Sequence, residues 1–417
     1  MNSTKKNFEQ PSFGEWDERR AFTDWTAFTE QTPDLDQVDV DKSMQFLASC
    51  YDEFEGRVPL DEASHAFIVP TRLSATTERW ADDTNGMVPM FRTADPATRV
   101  ALLSRLPPFI IDRYVRNGSH QNPGVVIFCP IFPDMGDSMT LTKGTRLARN
   151  ISERTLDFAA TTGCVLAGLG GVLPSLTHYG QRIRTPVPTT SGHGGTLALL
   201  RATLTQALLD GSIAKLTRAA VVGGGAIGTS IAIDLAHLEA EVQLVDTSPK
   251  ARALAQRRIA EDGTTPSGSI KVVAGLSQAD TIDLLIGAAT STIDVSGLST
   301  DAVVIDDSQP PCVEPDVKQE LRWVVGSDMS TSRIATRTHY LYGIEGLVSP
   351  SDVWGCEAEV AALVAAEATE LRVTKAVTPE TTSKIGEVLE TVGIKAATPQ
   401  AFGRPLTNST VKKDTNR

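Results

Sequence analysis

Residues 217–246, TRAAVVGGGAIGTSIAIDLAHLEAEVQLVD, constrain the fold of this chain more tightly than any other stretch. An apolar run ending at Val222 enters the glycines Gly223, Gly225 and Gly228. Ile227, Ile231, Leu235 and Leu238 then recur at three- and four-residue spacing, and a second apolar run closes on Asp246. Strand, glycine turn, helix, strand and terminal acid is the order of a dinucleotide-binding βαβ unit. Gly223 is expected to permit the turn out of the strand, Gly225 to admit a pyrophosphate against bare backbone, and Gly228 to let the helix pack on the strand. The first helical N–H groups, around Ala226 and Ile227, have no partner within the helix and would meet phosphate. Asp246, with Thr247 beside it, would accept ribose hydroxyls and oppose a 2′-phosphate, which predicts NAD. Lys250, Arg252 and Arg257 lie just beyond and keep NADP open.

The same alternation continues through IKVVAG (270–275), TIDLLIGAAT (281–290), DAVVIDDSQP (301–310) and LRWVVGSD (321–328). It predicts an α/β fold: a Rossmann doubly wound parallel sheet over 214–335, with ligands at the carboxyl ends of its strands. Ala288, Ala289 and Thr290 then face the cofactor, and Asp306, Asp307 and Ser308 lie towards the reacting end. Upstream, GVVIFCPIF (124–132), an amphipathic helical pattern (141–163) and CVLAGLGG (164–171) repeat the βαβ pattern and predict an α/β substrate or catalytic domain over 121–213. Residues 1–120 read as an N-terminal extension with no assigned role. Helical patterns within 336–400 predict C-terminal helices that pack back to complete the first domain, and 401–417 reads as a flexible tail.

A net charge of −12 argues against nucleic acid as a partner. No run approaches the ~20 apolar residues of a membrane span, and the polar start MNSTKKNFEQ offers no secretion signal. Five cysteines without CxxC spacing indicate neither a zinc site nor a disulfide frame, so no metal is expected. Reduced thiols and a cytoplasmic setting follow.

Four segments carry a family resemblance: GLGGVLPSL (168–176), TTSGHGGTLALL (189–200), GAATSTIDVSGLSTDAVVIDDSQP (287–310) and GCEAEVAALVAAE (355–367). In the same order they are similar to segments of the long-chain acyl-carrier-protein reductases that make fatty aldehydes in cyanobacteria. The resemblance implies an acyl thioester attacked by an enzyme cysteine and reduced by NADPH to an aldehyde. A thiolate suits that attack because it is a strong nucleophile near neutral pH. The family's cysteine follows the last Rossmann strand, yet the corresponding GSDMSTSRIATRTHY (326–340) has none. Asp246 and the long front segment also depart from the family. Cys312, beyond the strand end at Asp306, is the best-placed substitute thiol; Cys356 and Cys164 read as packing.

Other candidate groups follow from position. His178, with Tyr179, trails the GLGG turn and would serve as a proton donor. His193 lies in the glycine-flanked TTSGHGGT segment, where Thr189, Thr190 and Ser191 offer hydroxyls to a carbonyl oxygen or cap the next helix. Lys143, near the first β-α turn, would stabilise an oxyanion or bind a carboxylate. Paired acids at 306 and 307 would suit an amine. The leading reading is an NAD(P)-dependent oxidoreductase of acyl-carrier-protein-reductase type, acting on a small-molecule or acyl-carrier substrate at the carbonyl level. Substrate half first and nucleotide half second is also similar to shikimate and amino-acid dehydrogenases, which gives an amino-acid or imine dehydrogenase as the alternative. A non-catalytic nucleotide-binding protein is the third reading, and a homo-oligomer is compatible with all three.

Overall fold

The computed structural model describes residues 16–70, 88–115, 124–131, 142–263, 270–276, 281–289, 293, 298, 302–308, 312–313, 320–323, 326–328, 336–337, 351–401 and 404–405. They fall into two α/β units, the first drawn from 1–190 and 337–343, the second from 191–336 and 344–417.

The first unit runs α1 (Glu18–Gln31), α2 (Gln37–Phe54), β1 (His65–Pro70), a 3-10 turn (Pro89–Thr93), α3 (Pro96–Leu103), β2 (Phe109–Val115), β3 (Gly124–Cys129), α4 (Thr142–Thr161), β4 (Leu166–Leu169), α5 (Leu173–Thr177) and β5 (Thr189–Thr190). Its sheet has the order β2-β3-β1-β4-β5, with the short strand Thr336–Arg337 beyond β2. Strands β3, β1, β4 and β5 are parallel and β2 is antiparallel.

This arrangement corrects the reading of 1–120 as an extension. Strand β1 sits between β3 and β4, in the middle of the sheet, with all six residues buried. A central strand covered on both faces shows no polar alternation, so HAFIVP carries only a short apolar run as its signal. Helices α1 and α2 start at Asp17 and Asp36, whose carboxylates accept the backbone N–H groups of Arg20 (3.1 Å) and Val38 (2.7 Å). Ala21, Trp25 and Phe28 turn one buried face inward. The Trp25 indole N–H donates to the Leu102 carbonyl (3.1 Å) and the Tyr51 hydroxyl to that of Arg105 (2.7 Å), while Phe46 meets Phe109 of β2 edge-on. The front segment is therefore part of the first unit's core.

The second unit contains α6 (His193–Leu209), β6 (Arg218–Val222), α7 (Ala226–His237), β7 (Glu241–Val245), α8 (Pro249–Asp262), β8 (Ile270–Val273), β9 (Leu284–Gly287), β10 (Val303–Asp306), β11 (Glu320–Trp323) and β12 (Gly326–Asp328). With Thr336–Arg337 counted as β13, it continues through β14 (Asp352–Trp354), α9 (Gly355–Ala365), α10 (Pro379–Thr391), β15 (Lys395–Ala396), β16 (Gln400–Ala401) and β17 (Arg404–Pro405). The main sheet has the order β8-β7-β6-β9-β10-β11, all parallel, followed by antiparallel β16 and β17. The parallel part is the 3-2-1-4-5-6 order of a Rossmann sheet. Its core is aliphatic: Val221, Leu244, Ile286 and Ile305 of the strands pack with Leu200 and Leu235 of the helices, all fully buried. Each such side chain contributes about 1.5–3 kcal/mol on burial. The run 321–328, expected as one strand, is two: β11 joins the Rossmann sheet and β12 a separate sheet ordered β14-β12-β15.

The C-terminal helices differ from expectation. Helices α9 and α10 pack on α6 within the second unit instead of completing the first. The reason is the GHGG sequence at the start of α6. A Cβ at Gly195 would collide with the Gly355 carbonyl, and one at Gly192 with the Cys356 side chain. Glu359, fully buried on α9, then accepts the Gly195 N–H at 2.7 Å and caps α6 from outside its own sequence. On the other side the Arg201 guanidinium grips both Asp234 oxygens at 2.7 Å, joining α6 to α7. Of the expected tail, Arg404–Pro405 forms β17, and the rest lies outside the described residues.

Candidate cofactor site

The site is built at the carboxyl end of β6. Gly223 leaves the strand at φ +111, a conformation that L side chains rarely adopt, and its N–H donates to the Val245 carbonyl at 2.8 Å. A Cβ at Gly223 would run into the Ala288 carbonyl and one at Gly228 into the Gly223 carbonyl. Both glycines are thus required by backbone packing. Gly225 differs. It has φ −70 and ψ −166, open to any residue, and a Cβ there would meet nothing within 4 Å. The space beside it is what a pyrophosphate would fill. Helix α7 starts at this glycine with no side-chain cap, and Ala226 and Ile227 form its half-buried first turn. Uncapped N–H groups at a helix start favour an anion.

Asp246 closes β7 with its carboxylate turned to this loop. One oxygen accepts the Gly224 N–H and the other the Ser248 N–H, each at 2.7 Å. The Ser248 hydroxyl accepts the Ala251 N–H and begins α8, followed by Pro249 in its first turn. Arg252 folds back so that one guanidinium nitrogen donates to the carbonyls of Asp246 (2.8 Å) and Thr247 (2.9 Å). Sequence reasoning missed these roles of Gly224, Ser248 and Arg252. Ser-Pro at the start of a helix was the legible part of the signal.

Ala288 and Ala289 follow β9 and stand half-buried beside the same glycine turn, the Ala288 N–H donating to the Val222 carbonyl at 2.8 Å. Thr290 lies outside the described residues. The structure therefore brings Gly223, Gly225, Ala226, Ile227, Gly228, Asp246, Thr247, Ala288 and Ala289 to one end of one sheet.

The candidate catalytic groups fare differently. Cys312 is fully buried; its thiol donates to Asp306 at 3.1 Å, and burial followed by that carboxylate's charge holds its pKa well above the usual thiol range. Burial and a raised pKa are the opposite of what a substitute nucleophile needs. Cys50, Cys129 and Cys164 are also buried, with desolvation raising each; Cys129 stands at about 12. Cys356 is half-buried in the first turn of α9. Asp306 is fully buried and occupied by donors, which removes it as an amine ligand. His193 is the first residue of α6, where burial and then the charge of Arg258 push its imidazole down to about 4. It is neutral at physiological pH. In the first unit, His178 is exposed at the end of α5 in the left-handed conformation, with Tyr179 left-handed beside it. Lys143 lies on the first turn of α4, and its side chain is outside the described residues.

Comparison with known proteins agrees with the geometry of the second unit. Residues 218–306, from the start of β6 to the end of β10, match the family model described as 3-hydroxyacyl-CoA dehydrogenase, NAD binding domain. This segment is an NAD-binding domain. The match leaves the remainder of the chain unassigned, and no curated protein matches it. Among solved structures, the chain is similar to quinate dehydrogenase from Corynebacterium glutamicum in complex with NAD, at 14% identity and TM-score 0.32, covering 79% of this chain and 100% of that one. It is similar also to the ligand-free 5-ketofructose reductase of Gluconobacter sp. strain CHM43, at 13% identity and TM-score 0.31, covering 80% and 99%. The L-tryptophan dehydrogenase from Nostoc punctiforme matches at 11% identity and TM-score 0.32, covering 80% and 81%. Similarity at this level says nothing about substrate.

Proposed function

We propose that the chain is an NAD-dependent oxidoreductase acting on a carbonyl-level substrate without an acyl-enzyme. The observation that carries the reading is the uncapped glycine turn of α7, with open space at Gly225 and the Asp246 carboxylate fixed beside it. Gly225, Ala226 and Ile227 would hold the pyrophosphate, Asp246 the adenosine ribose, and Ala288 and Ala289 the far side of the cofactor. NAD bound there would supply the two-electron redox step. The residues themselves supply binding, orientation and, at Asp246, repulsion of a 2′-phosphate.

The placement of the thiols argues against the covalent step of the acyl-carrier-protein-reductase reading: four are buried and the fifth sits half-buried in a helical turn packed against Gly192. An acyl thioester remains a substrate class to test, beside aldehydes and ketones. The amino-acid or imine dehydrogenase reading keeps the order of the two units as its support, and no longer the acid at 306. A cytoplasmic setting belongs to the same proposal; among the described residues no helix is long and apolar enough to cross a membrane.

Calorimetric titration of the full chain with NADH and NADPH tests the core of the proposal, which fails if neither binds saturably. A panel of acyl thioesters, aldehydes, keto acids with ammonia and cyclic imines then separates the substrate classes. Saturable binding without turnover on any of them supports the non-catalytic reading.

A further inference from the structure

Asp306 ends β10 with its side chain fully buried. One carboxylate oxygen accepts the Ser308 N–H at 2.9 Å and the Cys312 thiol at 3.1 Å; the other accepts the Cys312 N–H at 2.8 Å. The network continues in both directions. The Ser308 hydroxyl accepts the Ala289 N–H at 3.0 Å, the Cys312 carbonyl accepts the Ile293 N–H at 2.7 Å, and the Gly287 carbonyl accepts the Asp307 N–H at 2.9 Å. The Asp306 side chain thus holds Ser308 and Cys312 in place, and the Ser308 hydroxyl, the Cys312 carbonyl and the Asp307 N–H make the links to Ala289, Ile293 and Gly287. Gly287, paired with Asp306 across the two strands, leaves room for this, because a Cβ there would collide with the Asp306 carboxylate and the Cys312 sulfur.

The strand order gives the network its meaning. The turn after β6 takes the pyrophosphate and the end of β7 the adenosine, and β7 lies on one side of β6 while β9 and β10 lie on the other. The other half of a dinucleotide, the nicotinamide half, therefore falls at the ends of β9 and β10. We infer that Asp306 is a positioning residue that locks the segments after β9 and β10 into one platform for the nicotinamide half, with Ser308 and Cys312 as its links. The inference rests on the proposed NAD-dependent reading. A buried carboxylate held by backbone and thiol donors is a costly way to close a turn. It gives in return a hydrogen-bonded network that joins the ends of two neighbouring strands.

The experiment compares NADH with ADP-ribose, which carries the adenosine and pyrophosphate but no nicotinamide. Calorimetry on the full chain measures both affinities for the native protein, Asp306→Asn and the milder Ser308→Ala. An asparagine amide presents a donor where an acceptor is needed, so Asp306→Asn should weaken NADH about tenfold and leave ADP-ribose within about twofold. Ser308→Ala, which removes the hydroxyl that holds the Ala289 N–H, should weaken NADH about threefold with ADP-ribose unchanged. It also keeps the test available if Asp306→Asn fails to fold. A role in general stability would lower both ligands together; that result, or no change in either, overturns the inference. So does a native protein that binds NADH no better than ADP-ribose. A native protein that binds neither ligand sinks the NAD-dependent reading itself, a distinguishable failure.

Discussion

Gly224 donates its backbone N–H to the Asp246 carboxylate at 2.7 Å, so the acid at the end of β7 is tied directly to the glycine turn at the end of β6. Ser248 holds the second carboxylate oxygen. The negative charge is therefore fixed in place before any ribose arrives. Asp246→Ala removes both the ribose acceptor and a tie on the turn, and NADH affinity should fall about tenfold while NADPH holds or improves. Titration with both cofactors checks this. A native protein that prefers NADPH would contradict the assignment.

Arg252 is committed to the carbonyls of Asp246 and Thr247. It acts as a clamp on the turn and not as a phosphate receptor. Arg252→Ala should weaken NADH by about threefold, the worth of a pair of partly exposed hydrogen bonds, with NADPH no more affected. Selective loss of NADPH affinity would show instead that the guanidinium turns to a 2′-phosphate.

Two glycines of one motif should respond in opposite ways. Gly225→Val enters open space at an ordinary φ, so the melting temperature should hold while NADH binding disappears. Gly228→Ala collides with the Gly223 carbonyl and should cost about 1–3 kcal/mol of stability. Thermal melts and calorimetry on the two variants separate the effects. Unchanged NADH affinity in Gly225→Val would place the pyrophosphate elsewhere.

Incubation with an acyl thioester in the absence of reductant should leave the intact mass unchanged, because four thiols are buried and the fifth is half-buried in the first turn of α9. An acyl adduct that vanishes in Cys356→Ala would restore covalent catalysis at the start of α9. Loss in Cys312→Ala would mean that the buried segment after β10 opens to substrate.

His193 predicts a pH dependence of stability. In the unfolded chain it takes a proton near 6.5, whereas in the fold burial and then Arg258 hold it back to about 4. The unfolded state binds the proton first as pH falls. Its contribution to stability is therefore complete above about 6.5, declines down to about 4 and is level below that. His193→Gln does not titrate, so urea midpoints followed from pH 7.5 to 4.5 should fall less steeply in the variant. Parallel profiles would show that this imidazole is solvated.

The second unit was legible because its signals are local. Strand, glycine turn, helix and second strand between Arg218 and Asp246 follow one another in a continuous segment and form where the spacing predicts, although Leu238, at the end of the apolar stripe, is exposed. The first unit was legible only in part. Strand β1 is buried on both faces and leaves no alternating pattern, so six residues in the middle of a sheet looked like part of an extension. The GHGG run at 192–195 had a clear composition and a concealed purpose: its partners, Gly355, Cys356 and Glu359, stand more than 150 positions away.

From sequence alone came the Rossmann unit and its cofactor, since hydrophobic period, glycine placement and a terminal acid are properties of a continuous segment. Only the tertiary structure decided what lies beyond the segment's own reach. It placed Cys312 under the ends of β9 and β10, where burial and then the Asp306 charge raise its pKa and the thiol donates to that carboxylate. It also set α9 and α10 on α6, because close helix contact depends on which distant residue fills the space a glycine leaves. Burial and long-range pairing are properties of the packed chain, and no spacing rule contains them.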